Sequence, residues 1–190
     1  MTDWFTADWH LGHFNIIKYT NRPFSSVSEM DNALINNVND VVMPDDRLFN
    51  LGDVCVRKSN LAAYRARFIC QNIFVIPGNH DREEELVKYF KVLPQCYMYE
   101  NQGFRMVLCH YAMRVWHHSH HGAGMIYGHS HNGLPPIPGV PSFDVGVDCW
   151  NYTPISLDDV KREMKRLYAL APNKIGEKDH HEFPGNQPGK

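Results

Sequence analysis

Five short apolar stretches of this chain are each followed by side chains that can bind a metal. These side chains are Asp8 and His10, Asp53, Asn79 with His80, His110, and His129 with His131. Short apolar runs bounded by turn-forming residues are typical of buried strands. In an α/β sheet, the carboxyl ends of the strands share one edge, and ligands bind there. The pattern therefore predicts an α/β fold with one polar site at a sheet edge.

Predicted strands and helices alternate along the first half of the chain. Strands are expected at about 3–6, 47–51, 73–76, 96–99, 104–109, 125–127 and 143–147. Helices are expected after the capping pattern Ser26-x-x-Glu29, at about 60–69, just after Asp81, and from Ser156 to about residue 170. Strands joined by helical crossovers indicate a largely parallel core.

The length and composition of the chain predict one domain. A chain of 190 residues with 43% hydrophobic content is long enough for one sizeable core and too short for two. We place the domain at 1–171. Residues 172–190 are polar, lack periodicity and contain glycine and proline, so we expect a disordered tail there.

Charge and cysteine content limit the classes of partner and the compartment. The 19 Lys and Arg against 21 Asp and Glu give a net charge of -2, so no overall basic field attracts nucleic acid or a membrane. The five cysteines form no C-x-x-C pair, which favours free thiols. The amino terminus lacks the pattern of a signal peptide, and no apolar run could cross a membrane. We expect a cytoplasmic protein.

The ligand types at the strand ends indicate which metals could bind. Imidazole and carboxylate ligands without thiolate point to Mn, Fe, Zn, Co or Ni, and away from a calcium cage or an iron–sulfur cluster. Seven potential ligands exceed what one ion takes when positions stay open for water. Two ions sharing a carboxylate fit better, and a water between them would have a lowered pKa.

The same residues carry a resemblance to a known family. In order along the chain they form D-x-H (Asp8, His10), G-D (Gly52, Asp53), G-N-H-D (Gly78 to Asp81), a histidine at a strand end (His110) and G-H-x-H (Gly128 to His131). This set resembles the calcineurin-like metallophosphoesterase superfamily. The segments 13–17, 21–24 and 148–156 are similar to a compact bacterial and phage subgroup of it.

The resemblance implies a fold, a site and a reaction. The fold is a four-layer αββα sandwich with a dinuclear metal site at the sheet edge. One divalent ion would be held by Asp8, His10 and His131, the other by Asn79, His110 and His129, and both by Asp53, with manganese favoured. A metal-bridging hydroxide would attack a phosphodiester or phosphomonoester. His80 would act as general acid or as a cation beside the phosphate, and Asp81 would orient it.

A departure from one branch of the family narrows the substrate. The protein phosphatases extend the second motif as G-D-x-x-D-R-G and carry G-N-H-E, whereas this chain has Val54 to Arg57 after Asp53, and Asp81. We therefore favour a phosphorylated small molecule of nucleotide type over a phosphoprotein. Binding of nucleic acid and the oligomeric state stay open.

Further residues are candidates for contact with the substrate. Asn15, Arg22 and His13 follow the first motif, and a guanidinium matches phosphate geometry. The alternative for Arg22 is an arginine that holds its own loop. The five residues His117 to His121 are either the lining of a pocket mouth or an exposed loop that catches metal adventitiously. Asp144 and Asp148 are candidates to hydrogen-bond a ligand histidine.

Two other functions fit the same motifs. One is a metal-binding scaffold that has lost its chemistry, although such a chain would be expected to lack ligands and this one lacks none. The other is a nuclease of the same superfamily, against which the net charge of -2 and the absence of an extra domain argue.

Overall fold

Residues 1–56 and 60–171 are described by a computed structural model, in which nine strands form two sheets. The strands are β1 (Asp3–Thr6), β2 (Arg47–Asn50), β3 (Asn72–Val75), β4 (Lys91–Val92), β5 (Cys96–Asn101), β6 (Phe104–Cys109), β7 (Gly124–Tyr127), β8 (Ser142–Asp144) and β9 (Ile155–Ser156). The helices are α1 (Phe14–Tyr19), α2 (Val27–Val41), α3 (Leu61–Arg65), α4 (Glu83–Leu86) and α5 (Leu157–Ala169).

The two sheets differ in topology. The first has the order β4-β3-β2-β1-β9 and is parallel apart from β9. The second has the order β5-β6-β7-β8, in which β5 and β6 form an antiparallel hairpin and the rest is parallel. Gln102 and Gly103 of the hairpin turn have φ of 51° and 80°, the left-handed pair that a two-residue turn of this kind requires.

The sheets pack face to face around an aromatic row. Phe5, Phe49 and Phe74 are register partners on β1, β2 and β3, and their stacked rings are 5.3 and 4.9 Å apart between centroids. The edge of Tyr99 on β5 meets two of these rings. Helix α5 contacts β1, β8 and β9, and its apolar face belongs to the same core.

The buried carboxylate of Asp3, at the start of β1, links the two sheets. Asp3 accepts hydrogen bonds from Nε and Nη2 of Arg47, each at 2.5 Å, from Nδ2 of Asn101 at 3.1 Å, and from the Tyr99 hydroxyl. Burial raises the pKa of Asp3, but the hydrogen bonds from Arg47 and Tyr99 outweigh it and lower the pKa overall.

The outer faces of the two sheets are covered differently. Helix α2 packs Met30, Leu34 and Val38 on the first sheet, as its spacing predicts, and Ser26 caps it by accepting from the Glu29 amide at 3.1 Å. The outer face of the second sheet forms a cluster with Trp116, Met113 and Val140, which lie in loops. Within the described ranges, no α-helix contributes to that cluster. The predicted fourth helical layer is therefore replaced by loops.

Most predicted elements occur, with different limits. The helix expected at 60–69 is only α3, and β4, β9 and α1 were not predicted. None of the five cysteines, all of which lie in the described ranges, forms a disulfide. The tail predicted at 172–190 lies outside the described residues. In the part of the chain that the structure covers, no helix has the length and apolar character needed to cross a membrane.

Candidate metal centre

In the loops that follow β1, β2 and β7, five of the predicted metal ligands lie in the left-handed region. The φ angles are 60° for Asp8, 50° for His10, 56° for Asp53, 66° for His129 and 45° for His131. For a residue with a side chain, this conformation costs about 1–2 kcal/mol. Such costs are concentrated at functional sites, where the surrounding structure enforces them. All five were predicted as metal ligands from the sequence.

Asp53 lies at the centre of these loops. Its Oδ2 is 3.4 Å from Nε2 of His10 on one side and 3.6 Å from Nε2 of His110 on the other. Its Oδ1 accepts a hydrogen bond from the backbone amide of His80 at 2.9 Å. One carboxylate is thus shared between two groups of imidazoles.

Three groups of side chains bring their ligand atoms within 4.8 Å of one another. They are Asp8, His10 and His131; Asp53, His110 and His129; and His10, Asp53 and His80. The first two groups together contain six of the seven predicted ligands. The seventh, Asn79, has its Oδ1 3.0 Å from Nε2 of His110. The third group includes His80, which the resemblance assigns to the phosphate.

Two observations test whether a cation fits these groups. Both ring nitrogens of His10 are buried and have no hydrogen-bond partner among the described residues. Nδ1 of His110 lies 2.7 Å from the Leu51 carbonyl, to which it donates, so its Nε2 and the Asn79 oxygen face each other as acceptors. A buried acceptor without a donor, such as Nε2 of His110, is costly, and a cation between it and the Asn79 oxygen satisfies it. The residues therefore fit a metal.

The charge of Asp8 depends strongly on its surroundings. Burial raises the pKa of the Asp8 carboxyl well above its ordinary value, and the nearby carboxylates of Asp144 and Asp53 raise it further. The His129 amide donates to both Asp8 oxygens, at 3.0 and 2.8 Å. Burial also lowers the pKa of His10, to about 2, with nearby His131 and Arg22 adding to the effect. Without a cation, burial therefore favours the neutral forms of both groups, and a cation bound beside them would favour the ionised Asp8 carboxylate.

The Asp81 carboxylate has a different role from the one expected. It accepts hydrogen bonds from the backbone amides of Asp53 at 2.7 Å, Val54 at 3.0 Å and Gly78 at 3.0 Å. These contacts tie the loop after β3 to the loop after β2. The prediction that Asp81 orients the His80 ring is therefore replaced: Asp81 fixes the backbone around Asp53.

Gly78 allows these two loops to approach each other. A Cβ built on Gly78 would lie 2.3 Å from Oδ1 of Asp53 and 2.8 Å from Cε1 of His110. No side chain fits at that distance. The glycine of the G-N-H-D motif is thus required by packing against the shared carboxylate.

Arg22 is buried and holds the loop that follows β1. Its guanidinium donates to both oxygens of Asp148 at 2.8 Å, to the Asp8 carbonyl at 2.8 Å and to the Trp9 carbonyl at 3.0 Å. All of its nitrogens are used within the protein. The expected phosphate contact is thus corrected in favour of the alternative, an arginine that holds its own loop.

Asp148 connects Arg22 to a ligand histidine. Its Oδ2 lies 2.7 Å from Nδ1 of His131. Burial raises the pKa of Asp148, but the hydrogen bonds with His131 and Arg22 prevail and lower it to about 2. This bond directs Nε2 of His131 toward the group with Asp8 and His10. Asp144, the other candidate, accepts instead from the Ser130 hydroxyl at 2.5 Å.

The remaining candidates lie at different distances from this centre. The His13 ring is 5.6 Å from the His10 ring and 6.2 Å from the His80 ring, between centroids, and burial lowers its pKa. Asn15 is exposed on α1. Contact of either with a substrate stays a prediction. The cluster His117 to His121 lies in the loop over the second sheet and belongs to none of the three groups.

Comparison with known proteins places the chain in a family. No family model matches the sequence. A protein of Methanocaldococcus jannaschii, the uncharacterized protein MJ1445, is 37% identical over 161 residues, which are 80% of this chain and 85% of the relative. The chain belongs to the MJ1445 family.

One solved structure shares its fold. The protein of unknown function AQ665 from Aquifex aeolicus has a TM-score of 0.67 and 20% identity, and the match covers 85% of this chain and 98% of the other. The fold of this member of the MJ1445 family is thus also found in AQ665. A weaker match, with a TM-score of 0.44 and 18% identity, covers 77% of this chain and 78% of Yfce, a phosphoesterase from E. coli.

One residue that supports the site in this MJ1445-family chain was missed from the sequence. Asp31 on α2 accepts from the Gly12 amide at 3.1 Å and from the Tyr64 hydroxyl at 2.6 Å, which fixes the loop after His10. Its sequence signal is an acidic residue on the buried face of an otherwise apolar helix stripe, beside Met30 and Leu34.

Proposed function

We propose that this protein is a metal-dependent phosphoesterase that hydrolyses a phosphodiester or phosphomonoester bond, with a nucleotide-type substrate favoured. One observation carries the proposal: the Asp53 carboxylate is shared between two groups of imidazole and carboxylate ligands. The order of the five motifs along the chain, which resembles that of calcineurin-like metallophosphoesterases, is independent support.

The proposed division of ligands follows from these groups. Asp8, His10 and His131 hold one divalent ion. Asn79, His110 and His129 hold the other, and Asp53 contacts both. When bound, such ions supply positive charge to phosphate oxygens and lower the pKa of a water that attacks phosphorus. Manganese is favoured by the ligand set, and Fe, Zn, Co and Ni are the alternatives.

His80 is the proposed proton donor. Its backbone amide is fixed by Asp53 at 2.9 Å, while its side chain is exposed beside the rings of His10 and His13. An imidazole in this position can donate a proton to the leaving oxygen or place a positive charge beside the phosphate. Asn79 and His129 are also exposed, so a phosphate can reach the centre from solvent.

Hydrolysis of bis-p-nitrophenyl phosphate by the purified protein tests the proposal. We expect turnover with Mn²⁺, and a loss on the order of a thousandfold in Asp53→Ala. Asp45→Ala, which removes an exposed carboxylate remote from the centre, is the control and should retain full activity. Absence of turnover with Mn²⁺, Fe²⁺, Zn²⁺, Co²⁺ and Ni²⁺ would favour the metal-binding scaffold.

A panel of substrates tests the preference for nucleotides. Mononucleotides, cyclic nucleotides, dinucleotides and sugar phosphates should be compared by kcat/KM under the same metal conditions. A preference for sugar phosphates would contradict the nucleotide assignment. Strongly salt-dependent cleavage of DNA would instead support the nuclease.

A further inference from the structure

A pocket separate from the metal centre lies between the loop that carries Trp116 and helix α5. Its volume is about 580 Å³, within the range of small-molecule sites. It is next to the start of β7, where Gly124 packs against Met164. His129 follows the other end of β7, roughly 16 Å away at ~3.3 Å per residue. The pocket shares no lining residue with the metal centre.

Positively charged side chains line this pocket. Arg114, Lys161 and Lys165 line it, and none of the residues in 1–56 and 60–171 that line it is acidic. Nζ of Lys161 lies 5.4 Å from the centroid of the Phe104 ring, and neither lysine forms an ion pair within residues 1–56 and 60–171. A chain with a net charge of -2 thus gathers three cations around one cavity. Such a site attracts an anion.

Neighbouring cations on the same helix are neutralised. Arg162 donates to Asp159, and Nη2 of Arg166 is 2.6 Å from Oε1 of Glu163. Helix α5 therefore has two basic residues with an acidic partner one turn away. Its Lys161 and Lys165 face the pocket and have no acidic partner among the residues that the structure describes. All four basic residues lie on one helix. They differ in whether they face the pocket and in whether a described acidic side chain pairs with them.

The walls of the pocket are apolar and partly aromatic. Trp116 is held in place because its Nε1 donates to the Ala123 carbonyl at 2.8 Å. Phe104 and Tyr168 also line the cavity, and Tyr168 is 67% exposed. Aromatic walls stack on flat rings, and cations beside them bind several negative charges at once. This combination suits a molecule with a ring at one end and phosphate at the other.

We propose that this pocket binds a nucleoside phosphate, separately from the metal centre. The ring packs among Trp116, Tyr168 and Phe104, and the phosphates contact Arg114, Lys161 and Lys165. The proposal concerns binding alone and does not depend on the phosphoesterase activity.

Calorimetric titration of the full-length, Mn²⁺-loaded protein with ADP tests this proposal. We expect saturable binding that the double variant Lys161→Ala/Lys165→Ala weakens by about tenfold or more. The control Arg162→Ala/Arg166→Ala removes the same charge from the same helix and should change Kd by less than about twofold. Adenosine and inorganic phosphate should each bind more weakly than ADP, because each lacks half of the contacts.

Several outcomes would overturn the proposal. They are no saturable binding of ADP, equal weakening in the two double variants, binding of inorganic phosphate as tight as that of ADP, or a dimer whose formation excludes ADP. Hydrolysis of bis-p-nitrophenyl phosphate reports on the metal centre and should stay unchanged in both double variants. Loss of ADP binding in Lys161→Ala/Lys165→Ala, with hydrolysis unchanged, would support a separate pocket. The same loss of ADP binding would support it even if the parent protein had no hydrolase activity.

Discussion

At the scale of single residues, His80 and Asn79 are neighbours with different expected roles. Asn79 has its oxygen 3.0 Å from His110 Nε2, inside the group of ligands. His80 is anchored by its backbone, and its ring belongs to the group with His10 and Asp53. Substituting each residue in turn can therefore distinguish the roles of these two neighbours.

We predict that His80→Ala slows turnover by about 10²–10⁴-fold while the metal content stays that of the parent. The reason is that the variant removes the proposed proton donor and leaves all seven predicted ligands in place. Metal content per chain and kcat should be measured on the same samples. Asn79→Ala is the comparison and should lower metal occupancy. Loss of metal in His80→Ala would make His80 a ligand instead.

Arg22 is the second residue whose role can be tested. We predict that Arg22→Lys weakens metal affinity by about 10–100-fold, because an ammonium cannot hold Asp148 at two points and Asp148 positions His131. The measurement is metal titration monitored by activity. At saturating metal, KM should equal that of the parent. A raised KM with unchanged metal affinity would restore Arg22 as a contact with the substrate.

At the scale of elements, the site is made by loops that leave strands at the same edge. Asp81 joins the loop after β3 to the loop after β2, and the His129 amide joins the loop after β7 to Asp8 after β1. The left-handed residues are therefore held by hydrogen bonds from neighbouring loops. The strands set the position at which each loop begins, and hydrogen bonds between the loops hold their conformations.

We predict that Gly78→Ala disrupts the centre, because its Cβ would lie 2.3 Å from the Asp53 carboxylate. The free energy of unfolding should fall by about 1–3 kcal/mol, and metal binding should be lost. Gly103→Ala is the control: it lies in open space with φ of 80°, so it should cost about 1 kcal/mol and keep the metal. Denaturant titration and metal analysis would check both, and a metal-binding Gly78→Ala would contradict the packing argument.

The sequence predicts local features of this fold better than contacts between distant segments. Strand ends with Asp, Asn or His are visible locally, and so is the Ser26 cap. The two-residue strands β4 and β9 are too short for a pattern to appear. Arg22 and Asp148 are 126 residues apart, and an arginine that follows the first motif looks the same in sequence whether it binds phosphate or a buried carboxylate. Only the fold distinguishes these cases.

At the scale of the whole molecule, the carboxyl groups at the two ends of β1 should respond to pH and to metal in different ways. Asp3, the first residue of β1, has a lowered pKa and links the two sheets, whereas the pKa of Asp8, which follows β1, is raised by burial and by nearby carboxylates. A carboxyl with a lowered pKa contributes stability above its ordinary pKa, and that stability is lost as the pH falls through the folded-state pKa.

We predict that Asp3→Asn reduces the free energy of unfolding by about 2 kcal/mol at pH 7, because Asn cannot accept the charge-assisted bonds from Arg47. The difference from the parent should shrink as the pH falls below the ordinary value of 3.8 for Asp. Urea unfolding between pH 7 and pH 3 measures it. Asp45→Asn, which alters an exposed carboxylate, should show no such pH-dependent difference.

We also predict that chelation lowers the melting temperature and that Mn²⁺ restores it. Metal binding to the folded state alone adds about 2.7 kcal/mol at one hundred times Kd. The recovery should be absent in Asp53→Ala, and metal uptake should release protons because Asp8 has a raised pKa. Differential scanning calorimetry with and without EDTA is the measurement. An unchanged melting temperature would contradict a metal that binds the folded protein.

The origin of the seven ligands has one more consequence. Of the seven predicted ligands, Asp8, His10, Asp53 and Asn79 follow strands of the first sheet, while His110, His129 and His131 follow strands of the second. An ion held by both sets would join the sheets as a crosslink, in the way that a disulfide joins two segments of a chain. Unlike a disulfide, this crosslink would form in a reducing compartment, and the supply of free metal ions would control it.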